Sequence, residues 1–295
     1  MTVPPPPHIG RVAYFGTPAL AVAPLRALVE AGLEVPVVVS APDKRRGRGP
    51  ALSPSPVKAW ALEAGLATSD DPDAALLTPV DLAVVVAYGR ILRANVLDRI
   101  AFVNLHVSLL PRWRGAAPIE RAILAGDERT GVCVMEVTEG LDEGGVYARA
   151  ETDIDAKTTD DLRAELVEAG TQLLLECIRS GFGPAIPQVG EVTYASKIDP
   201  SERRIDWGGP AVRADRVVRV GGAWTTLAGK RLKVLSATPT DVVAAPGALD
   251  VATGSVGCGV GSLTLVTVQP EGRAAMSAAD WVRGAHVSAG DRLGS

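Results

Sequence analysis

Short β-branched runs and helix-period segments alternate over the first 180 residues. RVAYFG (11–16) is a β-rich run closed by Gly16, Thr17 and Pro18, and residues 19–31 carry a helix-compatible apolar pattern that stops before Gly32. VPVVVS (35–40) is almost continuously apolar, the texture of a strand buried on both faces. Together they predict a βαβ start. After a loop rich in Arg, Gly and Pro (41–56), a helix fits 57–64 and DLAVVVAYG (81–89) reads as a third buried strand. AFVNLHVS (101–108) and GVCVMEVT (131–138) are further strands, with a helix from Pro118 to Ala125 between them and an edge strand at 147–154. Residues 158–180 give the clearest helix, with an acidic first turn and Gly181 as its stop.

Beyond Ile205, Asp206 and Trp207 the texture changes. A short helix (210–220) precedes WTTLAG, RLKVLSA, SVGCGV and SLTLVTV, short strands with Gly-bearing turns that predict a small β-barrel. The expected architecture is therefore α/β, with a mostly parallel sheet over 11–200, a β-barrel over 201–295, and a Pro-rich tail at 1–10. A chain of 295 residues, about twice the ~150 that serve as a prior for one domain, agrees with two units.

Charge separates the two halves. Residues 201–295 hold 11 Lys and Arg against 8 Asp and Glu, a net +3, within a chain of net charge −4. Bulk attraction to nucleic acid is thereby excluded, and a polyanion must use local basic patches. Lys44, Arg45, Arg46 and Arg48 form one such patch, although charge clusters are also commonly solvated loops. The start of the chain has four consecutive prolines and no apolar signal core, and no run is long enough to cross a bilayer, so a cytoplasmic protein is expected. Cys133, Cys177 and Cys258 lack metal-ligand spacing and read as free thiols, so no metal site is expected.

The common nucleotide and hydrolase motifs fail: neither GxGxxG, nor GxxxxGK[ST], nor GxSxG occurs. What remains is Asn104-Leu-His106 on a predicted strand. Residues i and i+2 face one side, so an amide donor and an imidazole project together. Such a pair can bind a developing oxyanion, and an imidazolium wants a carboxylate. Asp142, in the loop GLDEGG (140–145), is the candidate, on the expectation that loops at the carboxyl ends of neighbouring strands meet in one crevice. A hydrogen-bonded strand histidine and a turn-forming aspartate would look the same in sequence. Trp207, Trp224 and Trp281 are open to two readings, base stacking and core packing.

The segments FGTP (15–18), GRGPALSPSPVK (47–58), VVVAYGRIL (84–92), NLHVSLLPRWRGAAPIERAI (104–123), GVCVMEVTEGLDEGG (131–145), TYASKI (193–198), RIDW (204–207) and VQPEGRAAMSAADW (268–281) resemble the methionyl-tRNA branch of the 10-formyltetrahydrofolate-dependent formyltransferases. The resemblance implies a Rossmann-like catalytic domain followed by an oligonucleotide-binding-like barrel. It implies Asn104, His106 and Asp142 as catalytic residues, acting without a metal. It places 10-formyltetrahydrofolate against Tyr88, Gly89, Arg90, Ile91, Leu92 and Leu141, with Ser108, Leu109, Leu110 and Pro111 as an adjoining wall. It assigns Lys44, Arg45, Arg46 and Arg48 to tRNA, and implies a monomer that formylates methionyl-initiator tRNA. An amino-sugar nucleotide or other small amine is the alternative acceptor. The chain departs from the family pattern at Val107 and Gly145, and is shorter at 67–80 and just ahead of Ala223.

Overall fold

The computed structural model describes residues 2–45, 52–284 and 291–294. Two compact units emerge, the first made of Met1–Ile119, Glu128–Asp153 and Asp161–Ser196, the second of Glu120–Asp127, Ile154–Asp160 and Lys197–Ser295.

The first unit is built on a seven-stranded sheet: β1 (Arg11–Gly16), β2 (Glu34–Val39), β3 (Thr68–Ser69), β4 (Leu82–Val86), β5 (Phe102–His106), β6 (Arg129–Glu136) and β7 (Val146–Asp153), in the spatial order β7-β6-β5-β4-β1-β2-β3. Strands β1 to β5 pair in parallel, and β6 and β7 run antiparallel at one side. Side chains alternate between the two faces as the pleat demands. Val12, Tyr14, Leu82 and Val84 pack on one face with Leu25 and Leu28 of helix α1 (Val22–Glu30) and Val57 and Ala61 of α2 (Pro56–Glu63). Ala13, Phe15, Ala83 and Val85 pack on the other with Tyr88, Leu92 and Val96. A central strand such as β4, buried at every position, could not be read as amphipathic, and its uninterrupted LAVVV run is what two covered faces require. β7 instead alternates half-buried and exposed positions along most of its length, as an edge strand does. The long helix Thr159–Ser180 carries Asp160 and Asp161 in its first turn and Arg179 in its last, complementing the helix dipole, and ends at Gly181 with φ +83°. The Pro-rich tail lies on the protein: Val3 and Ile9 pack against the first core, and the Thr2 hydroxyl donates to Glu136.

In the second unit, strands β8 (Trp224–Leu227), β9 (Lys230–Thr240), β10 (Leu249–Asp250), β11 (Ser255–Gly257) and β12 (Ser262–Pro270) form an antiparallel sheet in the order β8-β9-β12-β11-β10. Both edges of that order meet the same short stretch. Leu293 bridges Leu227, Arg292 bridges Ala248, and the Gly294 N–H donates to Thr226 O at 2.8 Å, which closes the sheet into a barrel. Its core holds Trp207 and Trp281, each 5% exposed, so these two are packing residues, with the Trp207 indole donating to Thr225 Oγ1. The helix Ala211–Val220 turns Ala211, Ala214 and Val218 inward. The two stretches drawn from the first 200 residues are knitted in by charge: Arg121 pairs with Glu202, and Arg219 donates to the carbonyls of Asp155 and Lys157.

Candidate active site

Strand β5 ends in the residues that matter. Val103 and Leu105 point into the first core, so Asn104 and His106 share the opposite face, as the alternation predicts. The His106 ring is 5% exposed, and both of its nitrogens face acceptors. Nε2 lies 2.9 Å from Trp113 O, and Nδ1 lies 3.5 Å from Asp142 Oδ2. A neutral ring can donate to only one of these, whereas the imidazolium satisfies both. Trp113 presents its carbonyl from a left-handed backbone (φ +62°), an unusual conformation for a bulky residue, and its N–H is held by Thr193 Oγ1 at 2.9 Å. Asn104 differs in kind. It is half-buried, and its amide makes no hydrogen bond to another described residue.

Asp142 reaches His106 by a route the sequence did not suggest. Because β6 is antiparallel to β5, its following loop leaves beside Phe102 and not beside His106: the Val137 N–H donates to Phe102 O at 3.1 Å. The expectation that carboxyl ends of parallel strands bring the two together is therefore corrected, since the loop 137–145 folds back to bring Asp142 against the ring. Three contacts hold it there. Asp142 Oδ2 accepts from the Gly115 N–H at 2.8 Å, and Gln188 Nε2 donates to the carbonyls of Asp142 and Gly144, both at 2.8 Å. Asp142 itself sits at φ +51°, a region aspartate tolerates better than most residues.

Gln188 and Thr193 belong to an extended strap without periodicity, which is why sequence reasoning passed over them. One signal was available in Gly145. A Cβ there would come within 2.8 Å of Ala185 Cβ and 3.2 Å of Ile186 O, so the glycine marks the close approach of this strap to the Asp142 loop.

The remaining candidates fall in different settings. Tyr88 (3% exposed) and Leu92 (6%) are core residues, whereas Ile91 (87%) and Leu141 (58%) stand in solvent. Gly89 takes φ +77°, and Arg90 Nη1 is anchored on Asp70 O at 2.7 Å. Burial pushes the Tyr88 phenol up, opposed by the Arg90 guanidinium. Ser108 and Leu110 are buried: the Ser108 hydroxyl donates to Arg112 O at 2.7 Å, and Leu110 packs with Cys133 and Met135. Pro111 is also buried and Leu109 half-buried, so this wall is mostly backbone. Lys44 and Arg45 are exposed on a two-residue ribbon paired with Leu52–Ser53, and Arg46 and Arg48 lie outside the described residues. In the second unit Trp224 is half-buried, with the guanidinium carbons of Arg231 and Arg204 4.4 and 5.6 Å from its ring centre. Cys133, Cys177 and Cys258 are free thiols, all three pushed up by burial. Among the described residues no group of three or more His, Cys, Asp or Glu is placed to hold a metal, and no helix is long and apolar enough to cross a membrane.

Comparison with known proteins covers almost the whole chain. Residues 10–178 match the formyl transferase model and residues 197–286 match the formyl transferase C-terminal domain model. The chain is 42% identical over 300 residues to a methionyl-tRNA formyltransferase of Novosphingobium aromaticivorans, covering 96% of this chain and 100% of that one. It is 44% identical over 311 residues to one of Streptomyces coelicolor, covering 96% and 99%. Among solved structures it is similar to an N-formyltransferase of Helicobacter canadensis in complex with folinic acid and dTDP-3-aminofucose, with a TM-score of 0.67 and 16% identity over 87% of this chain and 99% of that one. It is also similar to HypX of Aquifex aeolicus in complex with tetrahydrofolic acid, with a TM-score of 0.64 and 20% identity over 92% of this chain, which spans 46% of that one.

Proposed function

Since this chain belongs to the formyl transferase family, we propose that it transfers the formyl group of 10-formyltetrahydrofolate to the α-amine of methionyl-initiator tRNA. The observation that carries the acceptor is identity of 42–44% sustained across the catalytic and barrel units together, over the full length of methionyl-tRNA formyltransferases. The likeness to a sugar-modifying enzyme is one of fold.

In this reading the neutral α-amine attacks the formyl carbon and the carbonyl π pair moves onto oxygen. The tetrahedral intermediate collapses with cleavage of the bond to N10, which takes up a proton while the new amide nitrogen loses one. An α-amino group of pKa about 7.7–8.0 has a useful neutral fraction near neutral pH, so attack needs no strong base. The Asn104 amide, uncommitted among the described residues, donates to the oxyanion. His106 is fixed through Nε2, and its Nδ1 proton, held only loosely at 3.5 Å from Asp142, is the second donor. Asp142 keeps that ring oriented and relays protons through water. The folate lies against Tyr88–Leu92 and Leu141, chiefly through backbone groups, with residues 108–111 behind. Lys44 and Arg45, with Arg46 and Arg48, meet the phosphates of the acceptor end, and the barrel lies along the acceptor stem. The enzyme works in the cytoplasm as a monomer of 30.6 kDa, which sedimentation would check.

The test is formyl transfer from 10-formyltetrahydrofolate to charged initiator tRNA, a charged elongator tRNA and an amino-sugar nucleotide in parallel. Product on the initiator alone is expected. Product on the sugar alone would overturn the acceptor and keep the chemistry.

A further inference from the structure

The stretch 179–196 is covered by neither formyl transferase model, yet it supports the site at several points. Residues Tyr194–Ala195 pair in parallel with Arg114–Gly115, and the Ala195 carbonyl accepts from the N–H groups of Ala116 and Ala117 at 2.8 and 3.1 Å. Thr193 holds the Trp113 N–H through its hydroxyl and the Arg114 N–H through its carbonyl. At the other end, the strap bridges Val146 through paired bonds from Ile186 at 2.8 and 3.0 Å. Gln188 stands between these anchors.

We infer that Gln188, oriented by Arg114, is the positioning residue that sets Asp142 against His106. Its two amide hydrogens are both spent on the Asp142 loop, one on Asp142 O and one on Gly144 O. Its carbonyl oxygen accepts a fork from Arg114, Nε at 3.1 Å and Nη2 at 2.8 Å. That fork fixes which end of the amide faces the loop, because a flipped amide would aim NH2 at a guanidinium and oxygen at two carbonyls. Arg114 is itself 9% exposed, and its Nη1 faces Glu143 Oε1 at 3.6 Å, so the guanidinium grips both Gln188 and the residue after Asp142. The loop otherwise lacks regular structure across 137–145, and Asp142 holds a left-handed backbone that needs support from outside. Gln188 touches neither His106 nor Asn104 through any of these bonds; it acts through Asp142.

This inference rests on the catalytic reading of Asp142, and the experiment separates the two. Gln188→Glu keeps the shape and an acceptor for Arg114 but places oxygen where two carbonyls require donors. It is expected to lower kcat about tenfold or more, the scale of two lost hydrogen bonds, with KM for both substrates within about twofold. Gln188→Met, which loses the bonds while keeping bulk, should fall similarly. In an Asp142→Asn background the same Gln188→Glu change should cost less than about twofold further, because the residue it positions is already disabled. Thermal unfolding of each variant reports whether the fold survived. Wild-type kcat in Gln188→Glu and Gln188→Met, or full additivity with Asp142→Asn, overturns the positioning role. Wild-type kcat in Asp142→Asn alone would instead overturn the catalytic reading beneath it.

Discussion

Asn104→Ala isolates transition-state stabilisation more cleanly than any other change at this site. In the free protein the Asn104 amide has no partner among the described residues, and the side chain is half-buried beside the strand end. Truncation therefore breaks no ground-state hydrogen bond and orphans no buried atom, so stability should stay within about 0.5 kcal/mol of the parent. The amide's contribution arises only once charge develops on the formyl oxygen. Losing one such donor costs roughly 2.7–4 kcal/mol, or about 100- to 1,000-fold in kcat. The assay is initial-rate formyl transfer with both substrates varied, paired with thermal unfolding and with folate binding in the absence of tRNA. Expected are kcat down at least about 100-fold, an unchanged melting temperature, and folate affinity near that of the parent. A kcat within about fivefold of the parent, or a loss confined to KM, would refute the reasoning, since uniform binding would then be all the amide supplies.

His106→Ala should lose kcat on a similar scale but also about 1–3 kcal/mol of stability, read as a lower melting temperature, because it removes a buried ring together with its contacts to the Trp113 carbonyl and the Asp142 carboxylate. At the barrel entry, the Glu202 carboxyl is held below its ordinary 4.5 first by the Arg121 guanidinium and then by the Asp199 N–H. Its stabilisation is present above the unfolded value and lost as pH falls through the lower folded one, so Glu202→Gln should lower the melting temperature at pH 7, by a margin that narrows as pH falls below the ordinary 4.5. Replacing Lys44 and Arg45 together by Ala should weaken use of charged tRNA and shallow its dependence on log salt by up to about two units of slope, while a free methionine ester reacts as before; an unchanged slope would count against phosphate contact.

How much of this could be read from residues alone follows from the range of the forces involved. Strands β1, β2 and β4 were legible because burial on both faces leaves an uninterrupted apolar record, and the helix at Pro118–Ala125 because its face repeats at helical spacing. The Asn104 and His106 pairing was legible because the pleat is a local rule. Strand direction is not local: nothing in GVCVMEVT distinguishes a parallel from an antiparallel neighbour, so the route of the Asp142 loop could not be anticipated. Gln188 and Thr193 act through polar bonds from extended backbone, which has no hydrophobic period to display. The edge strand Thr68–Ser69 was missed for a simpler reason, being two residues long. Ser108 and Leu110 show the limit of motif transfer, which marks a segment without telling side chain from backbone.

The composition of the second unit bears on how its parts could ever be exchanged. Residues 197–295 do not make that unit by themselves; it also takes in 120–127 and 154–160, through Arg121 on Glu202 and the carbonyls of Asp155 and Lys157 on Arg219. Joining this barrel to a relative's catalytic half at residue 197 would leave a carboxylate and a guanidinium facing borrowed partners. Inheritance is therefore coupled across roughly 80 positions of chain: a change at Glu202 or Arg219 is judged by residues encoded far upstream. The two halves can diverge in sequence, but they do so as a matched set and not as interchangeable cassettes.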